Sequence, residues 1–224
     1  MQNVTEPIGY IKNPYKSKFG VPRQSGLADA SAVIEMLPEY GVAEAFRGLE
    51  EFSHIWLLWE FSNCNRDGWT PTVRPPKLGG NKRVGVFATR SPYRPNAIGL
   101  SCVELNRIEY KDGTVLLHIT GADLMDGTPI YDIKPYLPYT DCRPEAGGGF
   151  TDQLEHKLLD VVFECEHNMA DDIKSQLIQA LSQDPRPSYH EDVDRVYGMD
   201  FDIYNVRFTV SDNRVSVVEV REIP

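Results

Sequence analysis

Ile98-Gly99-Leu100-Ser101-Cys102-Val103-Glu104-Leu105-Asn106-Arg107-Ile108 and, after Lys111-Asp112-Gly113, Thr114-Val115-Leu116-Leu117-His118-Ile119-Thr120 form the stretch that decides the fold class. The first run alternates in the period of a pleated strand, and the second is rich in β-branched and aliphatic residues. The Asp112-Gly113 pair between them accepts the left-handed backbone of a tight hairpin turn. The two runs therefore predict adjacent antiparallel strands.

Outward from this hairpin the chain keeps the same character. Ile8-Gly9-Tyr10-Ile11 reads as a short strand closed by Asn13-Pro14, and Arg83 to Ala88 reads as another. His54-Ile-Trp-Leu-Leu-Trp-Glu-Phe61 is apolar almost throughout and flanked by polar turns, which suits a buried strand. Several strands at short spacing without long helices between them predict a barrel or sandwich rather than alternating βαβ units. Cys142 to Thr151, containing Arg-Pro-Glu-Ala-Gly-Gly-Gly-Phe, has the composition of a linker. Beyond it, Leu158 to Phe163 predicts a strand, and the helical spacing of Met169, Ile173, Leu177, Ile178 and Leu181 predicts a helix over 169–181 with Asn168 as N-cap. Ile203 to Val210 and Arg214 to Val220 read as a hairpin across Ser211-Asp212-Asn213.

Composition excludes several classes. The 224 residues are 41% hydrophobic and 25% charged, which suits a globular chain with a sizeable core. No run approaches the roughly 18 apolar residues of a membrane helix, and the first residues lack the pattern of a signal peptide, so the cytoplasm is the expected location. Cys64, Cys102, Cys142 and Cys165 lie far apart and read as reduced, packed thiols. His54 and His118 read as packed or hydrogen-bonded, and no metal site is expected. The net charge of −10 argues against a nucleic-acid partner until its distribution is considered. Residues 7–27 carry +4, residues 72–107 carry +6, and residues 151–224 carry −9. A basic face is thus compatible with an acidic total.

Three segments are too unusual to be packing alone. Asn13 to Gly26 combines Lys, Arg, aromatics and glycine, a composition suited to anions and stacking. Val73 to Asn96 contains Arg74, Lys77, Lys82, Arg83, Arg90 and Arg94 on a backbone set by prolines and opened by glycines. Asp123-Leu-Met-Asp126-Gly-Thr-Pro129, followed by Asp132-Ile-Lys-Pro-Tyr136, supplies carboxylates for ribose hydroxyls, an ammonium group or a departing proton. Dinucleotide, Walker and nucleophile-elbow signatures are absent from the sequence.

Pro22-Arg23-Gln24, Ala88-Thr89-Arg90-Ser91 with Arg94-Pro95-Asn96, and Asp126-Gly127-Thr128-Pro129 with Asp132-Ile133-Lys134-Pro135-Tyr136 resemble the TsaA-like family. The resemblance spans essentially the whole chain, including Gln183-Asp184-Pro185-Arg186-Pro187. It implies a β-rich fold, with a single β-barrel domain binding S-adenosylmethionine at residues 1–145. A smaller C-terminal α+β domain at 146–224 would help engage tRNA. It further implies a homodimer and N6-methylation of threonylcarbamoyladenosine beside the anticodon. Matched residue by residue, cofactor contacts are implied at Gln24, Ser25, Gly26, Phe61, Ser62, Arg90, Leu100, Thr120, Gly121, Ala122 and Asp123. Ser62-Asn63 departs from the His-Gln that relatives often carry there.

In this reading Asp126 or Asp132 takes the proton of the acceptor nitrogen, and Phe61, Tyr93 or Tyr131 presents an aromatic face to the sulfonium. Arg90 and Arg94 meet a carboxylate of cofactor or substrate, and Lys77, Lys82, Arg83, Arg94 and Arg186 are the candidate RNA contacts. Two alternatives stand beside it. One is a non-catalytic module that binds a nucleotide-like ligand or RNA; the other is a methyltransferase with a different acceptor.

Overall fold

The computed structural model describes residues 5–62, 68–78, 82–154, 157–186 and 195–223. In chain order the strands and helices are β1 (Gly9–Lys12), β2 (Ser31–Met36), β3 (His54–Glu60), β4 (Thr72–Val73), β5 (Val84–Gly85), β6 (Ile98–Lys111), β7 (Thr114–Thr120) and β8 (Pro129–Pro135). These are followed by α1 (Pro138–Asp141), β9 (Asp160–Phe163), α2 (Asp171–Ser182), β10 (Tyr197–Phe201), β11 (Tyr204–Ser211) and β12 (Arg214–Glu222).

Six strands close into a barrel in the order β1-β2-β7-β6-β3-β8, with antiparallel pairing throughout and closure by Gly9 opposite Ile130. The β6–β7 hairpin turns through Asp112 and Gly113 at φ of 50° and 77°, the left-handed pair that the sequence predicts there. Inward positions follow the period of two along each strand: Ile55, Leu57 and Trp59 on β3, and Val115, Leu117 and Ile119 on β7. With Ile11, Ile34, Val103 and Ile130 they fill the lumen. Each such aliphatic side chain contributes on the order of 1.5–3 kcal/mol by leaving water.

The C-terminal part forms a sheet in the order β10-β11-β12-β9, with α2 placing Leu177, Ala180 and Leu181 in its core. The β11–β12 hairpin turns at Asp212 and Asn213, again with positive φ. That core also takes residues from near the N-terminus. Tyr15 and Ala30 are buried in it, and the Phe19 ring lies near-parallel to Tyr197 and Phe208 at 5.8 and 6.1 Å. The aromatics of the Asn13–Gly26 segment, expected to suit ligand stacking, are thus anchors that tie the loop to the second sheet.

Two local expectations are corrected. Of Arg83–Ala88 only Val84–Gly85 is strand; Val86–Ala88 turns into a 3₁₀ helix, because buried Val86 is anchored and Thr89 Oγ1 donates back to its carbonyl at 2.8 Å. Helix α2 begins at Asp171 rather than Met169. Met169 packs in the core ahead of the helix, Ala170 is extended at the cap position, and Asn168 Nδ2 donates to Glu222 instead of capping. Strands β2 and β8, which the sequence reading does not predict, complete the barrel.

Candidate functional site

At one end of the barrel a cavity of about 420 Å³ opens between four pieces of chain. They are Lys18–Gln24 of the anchored loop, Trp59–Ser62 at the end of β3, Thr89–Arg94 with Ile98–Leu100, and Asp123–Thr128. This volume lies within the range of small-molecule sites.

Its apolar wall comes from β3 and β6. The Trp59 and Phe61 rings meet at 4.3 Å with a 58° tilt, and Ile98 and Leu100 present about half of their surface to solvent. Gly99, paired with Trp59 across the sheet, makes room for the indole: a Cβ there would fall 2.2–2.6 Å from ring atoms. The Trp59 Nε1–H donates to Ser101 Oγ at 2.9 Å, and the Ser101 hydroxyl donates to Asp123 Oδ1 at 2.5 Å. Burial pushes the Asp123 carboxyl above its ordinary value, opposed by the Ser101 hydrogen bond, the Asp123 and Ser25 backbone and the Arg90 charge.

The opposite wall is cationic. Arg90 donates to Gln24 Oε1 at 2.5 Å, while Arg94 donates to the Thr89 carbonyl at 3.0 Å and stands 5.9 Å from the centroid of Phe87. Arg23 donates to the carbonyl of Arg186 at 3.0 Å, so the second core braces the loop that forms the pocket rim. Gly26 N–H donates to the Gly121 carbonyl at 2.9 Å, and both glycines have positive φ. This crossing holds the loop over the barrel end, and the φ of 88° at Gly121 is a backbone conformation that side chains rarely adopt.

Of the expected cofactor contacts, Gln24, Phe61, Ser62, Arg90, Leu100 and Asp123 line the cavity. Ser25, Gly26 and Gly121 support it through the backbone, whereas the Thr120 hydroxyl donates to Asn106 and Ala122 is buried in the barrel core. Asn63 lies outside the described residues. Neither expected base lines the cavity. Asp126 accepts from Asn13 N–H at 3.0 Å and pairs with Lys16 at 2.8 Å, which fastens the loop, and Asp132 pairs with Lys134 at 2.7 Å. Among the expected RNA contacts, Arg94 lines the cavity, Lys82 and Arg83 are exposed, and Arg186 is held by both oxygens of Asp184. The side chain of Lys77 lies outside the described part.

Two groups escaped the sequence reading. Glu60 lines the cavity and accepts a hydrogen bond from the Tyr131 hydroxyl, whose pKa is pushed up to about 12 by burial and then by Glu60. Its signal is a lone charge in an apolar strand. Ser101 carries a comparable signal, a hydroxyl at an inward position of β6.

A small barrel with one apolar wall, one cationic wall and a half-buried carboxylate offers the surfaces that a flat organic ligand with charged arms requires. Residues 10–142 match the tRNA-methyltransferase O N-terminal domain and residues 149–223 match the TrmO C-terminal domain. The chain belongs to the TrmO family, the family that its motifs resemble. An Escherichia coli (strain K12) protein named tRNA (adenine(37)-N6)-methyltransferase is 42% identical over 92% of this chain and 93% of its own length. A Pseudomonas aeruginosa protein, "Putative S-adenosylmethionine-dependent methyltransferase RcsF", is 39% identical over 91% of this chain and 92% of its own. A crystal structure of TrmO from P. aeruginosa superposes with a TM-score of 0.78 at 33% identity, covering 99% of this chain and 98% of that one.

Proposed function

We propose that the chain methylates N6 of adenosine 37 in tRNA bearing a threonylcarbamoyl group, with S-adenosylmethionine as methyl donor. Membership of the TrmO family along both parts of the chain carries this reading, and the donor set of the cavity fits the cofactor. Ile98, Leu100 and Phe61 offer an apolar bed for a purine, and Asp123 is an acceptor for ribose hydroxyls. Arg90, steadied by Gln24, offers a partner for a carboxylate. The cofactor, when bound, supplies an electrophilic methyl group on a sulfonium.

Methyl transfer to nitrogen is an in-line displacement, so the protein contributes position and a proton acceptor. Asp126 and Asp132 lie outside the cavity lining and are paired with Lys16 and Lys134. Glu60 already stands in the cavity wall, oriented by Tyr131, and we assign the proton to it. Arg94, in the cationic wall, is placed for the threonyl carboxylate of the substrate. Residues 1–145 hold the cofactor, and residues 146–224 help to engage tRNA and brace the pocket rim through Arg23. A homodimer working in the cytoplasm completes the proposal. In the described part no helix is long and apolar enough to cross a membrane, and no cluster of three or more metal-ligating side chains occurs.

Transfer of labelled methyl from S-adenosylmethionine into bulk bacterial tRNA, followed by nucleoside mass spectrometry, tests the reading. One added methyl on threonylcarbamoyladenosine supports it. Cofactor binding without transfer would favour a binding module or another acceptor.

A further inference from the structure

Beside the cavity lies a second feature, whose aromatic rings the reaction itself does not use. From Gly68 to Ala97 the sequence carries Arg74, Lys77, Lys82, Arg83, Arg90 and Arg94 and no Asp or Glu. The same segment exposes three aromatic rings: Trp69 at 51%, Phe87 at 71% and Tyr93 at 42%. Trp69 and Phe87 lie near-parallel, 24° apart, with centroids at 6.4 Å. The platform is built rather than accidental. The β4–β5 hairpin and the Thr70 N–H to Tyr93 carbonyl bond (3.2 Å) tie its two edges together. Arg83 donates through Nε to Thr72 Oγ1 at 2.8 Å, which fixes that cation on the hairpin.

Position joins the platform to the site. Arg94 both lines the cavity and stands 5.9 Å from the Phe87 centroid, so the two share this side chain. Exposed rings among cations, with no carboxylate in the segment, match single-stranded nucleic acid, whose bases stack while its phosphates pair. A second copy of this chain presenting the same face would be met by repulsion between its equivalent cations and these.

We propose that the Trp69–Phe87 platform stacks an unpaired base next in sequence to the methyl-accepting adenosine, and so fixes which loop nucleotide enters the cavity. This rests on the tRNA reading above. The platform would hold the neighbouring nucleotide while Arg94 marks the boundary between that base and the reacting one. Phe87 would carry most of the contact, being the more exposed ring.

The test is a double-mutant cycle between protein and RNA. Binding and methylation of a synthetic anticodon stem–loop bearing threonylcarbamoyladenosine are measured for the unaltered protein, Phe87→Ala and Phe87→Tyr. Each is tested with intact RNA and with an abasic nucleotide on either side of the acceptor. The unaltered protein and Phe87→Tyr should lose roughly five- to a hundred-fold in affinity for one of the two abasic RNAs. Phe87→Ala should bind the intact RNA correspondingly more weakly and be indifferent to that abasic site, with an unchanged melting temperature. Independent, additive losses would overturn the platform while leaving the methyltransferase reading intact. If Phe87→Ala instead converts a dimer to a monomer in sedimentation and shows no coupling to the RNA, the occupant is a second copy and the proposal fails. Absence of both binding and methylation of intact stem–loop and bulk tRNA by the unaltered protein would remove the tRNA reading itself, and the platform with it.

Discussion

The Ser101 hydroxyl donates to Asp123 Oδ1 at 2.5 Å while accepting from Trp59 Nε1–H, so one buried side chain links the barrel wall to the carboxylate of the cavity. Ser101 is fully buried. Ser101→Ala leaves an indole N–H and a carboxylate oxygen without their partner, a loss of about 1–3 kcal/mol. Thermal unfolding should show the destabilisation, and calorimetry should show weaker S-adenosylmethionine binding. A variant unchanged in both would mean that the link does not orient Asp123.

Asp123 also sets a pH dependence. Its folded pKa lies above the ordinary 3.8, chiefly through burial. The folded protein therefore binds this proton more tightly than the unfolded chain does, and stability falls as pH rises from that ordinary value through the raised one. Asp123→Asn removes the buried charge, so near neutral pH its folded state should be at least as stable as the unaltered protein. Its cofactor affinity should fall and lose the acid-side decline that protonation of Asp123 imposes. Parallel melting and binding curves against pH check both parts; an Asn variant that keeps the acid-side decline would place the titrating group elsewhere.

Gly99 admits the Trp59 indole, whose ring atoms stand 2.2–2.6 Å from where a Cβ would lie. Gly99→Ala must displace a buried ring that packs on Phe61. Overpacking of this kind costs about 1–3 kcal/mol. Cofactor affinity should fall together with the melting temperature, and near-ultraviolet circular dichroism should report a moved tryptophan.

Glu60→Gln keeps an acceptor for the Tyr131 hydroxyl but removes the base. If Glu60 takes the proton, kcat should fall roughly 10²- to 10⁴-fold, with little change in cofactor affinity. Asp126→Asn and Asp132→Asn should retain most of kcat, and a larger fall in either than in Glu60→Gln would return the role to that residue.

Two cations should separate by what they bind. Arg90→Ala should weaken cofactor binding in calorimetry while leaving the salt dependence of tRNA binding alone. Lys82→Ala should do the reverse, flattening the log–log salt slope of tRNA affinity by up to ~1. An unchanged slope would remove exposed Lys82 from the phosphate interface.

Local pattern made the β-rich character legible. Asp112-Gly113 and Asp212-Asn213 announce their hairpins because only a few residue types accept left-handed backbone, and the inward alternation of β7 follows from the two-residue period of a strand. The bounds of α2 were less legible. Met169 obeys helical spacing, yet its burial in the second core holds the backbone ahead of it extended. Arg90, Gln24 and Asp123 were legible as site residues through motif resemblance, and the cavity gathers them from segments far apart in the chain.

A β-rich chain of the TrmO family, with basic segments in its first half and an acidic C-terminal part, is legible in residue order alone, because composition, turn chemistry and motifs are local properties. Long-range packing, by contrast, makes Tyr15 and Phe19 anchor the N-terminal loop in the second core, lets Asp126 fasten that loop through Lys16, and sets Glu60 in the cavity lining. Each of those outcomes depends on contacts between residues distant in sequence. Closure of the barrel brings the partners together, and no local pattern records which of them will meet.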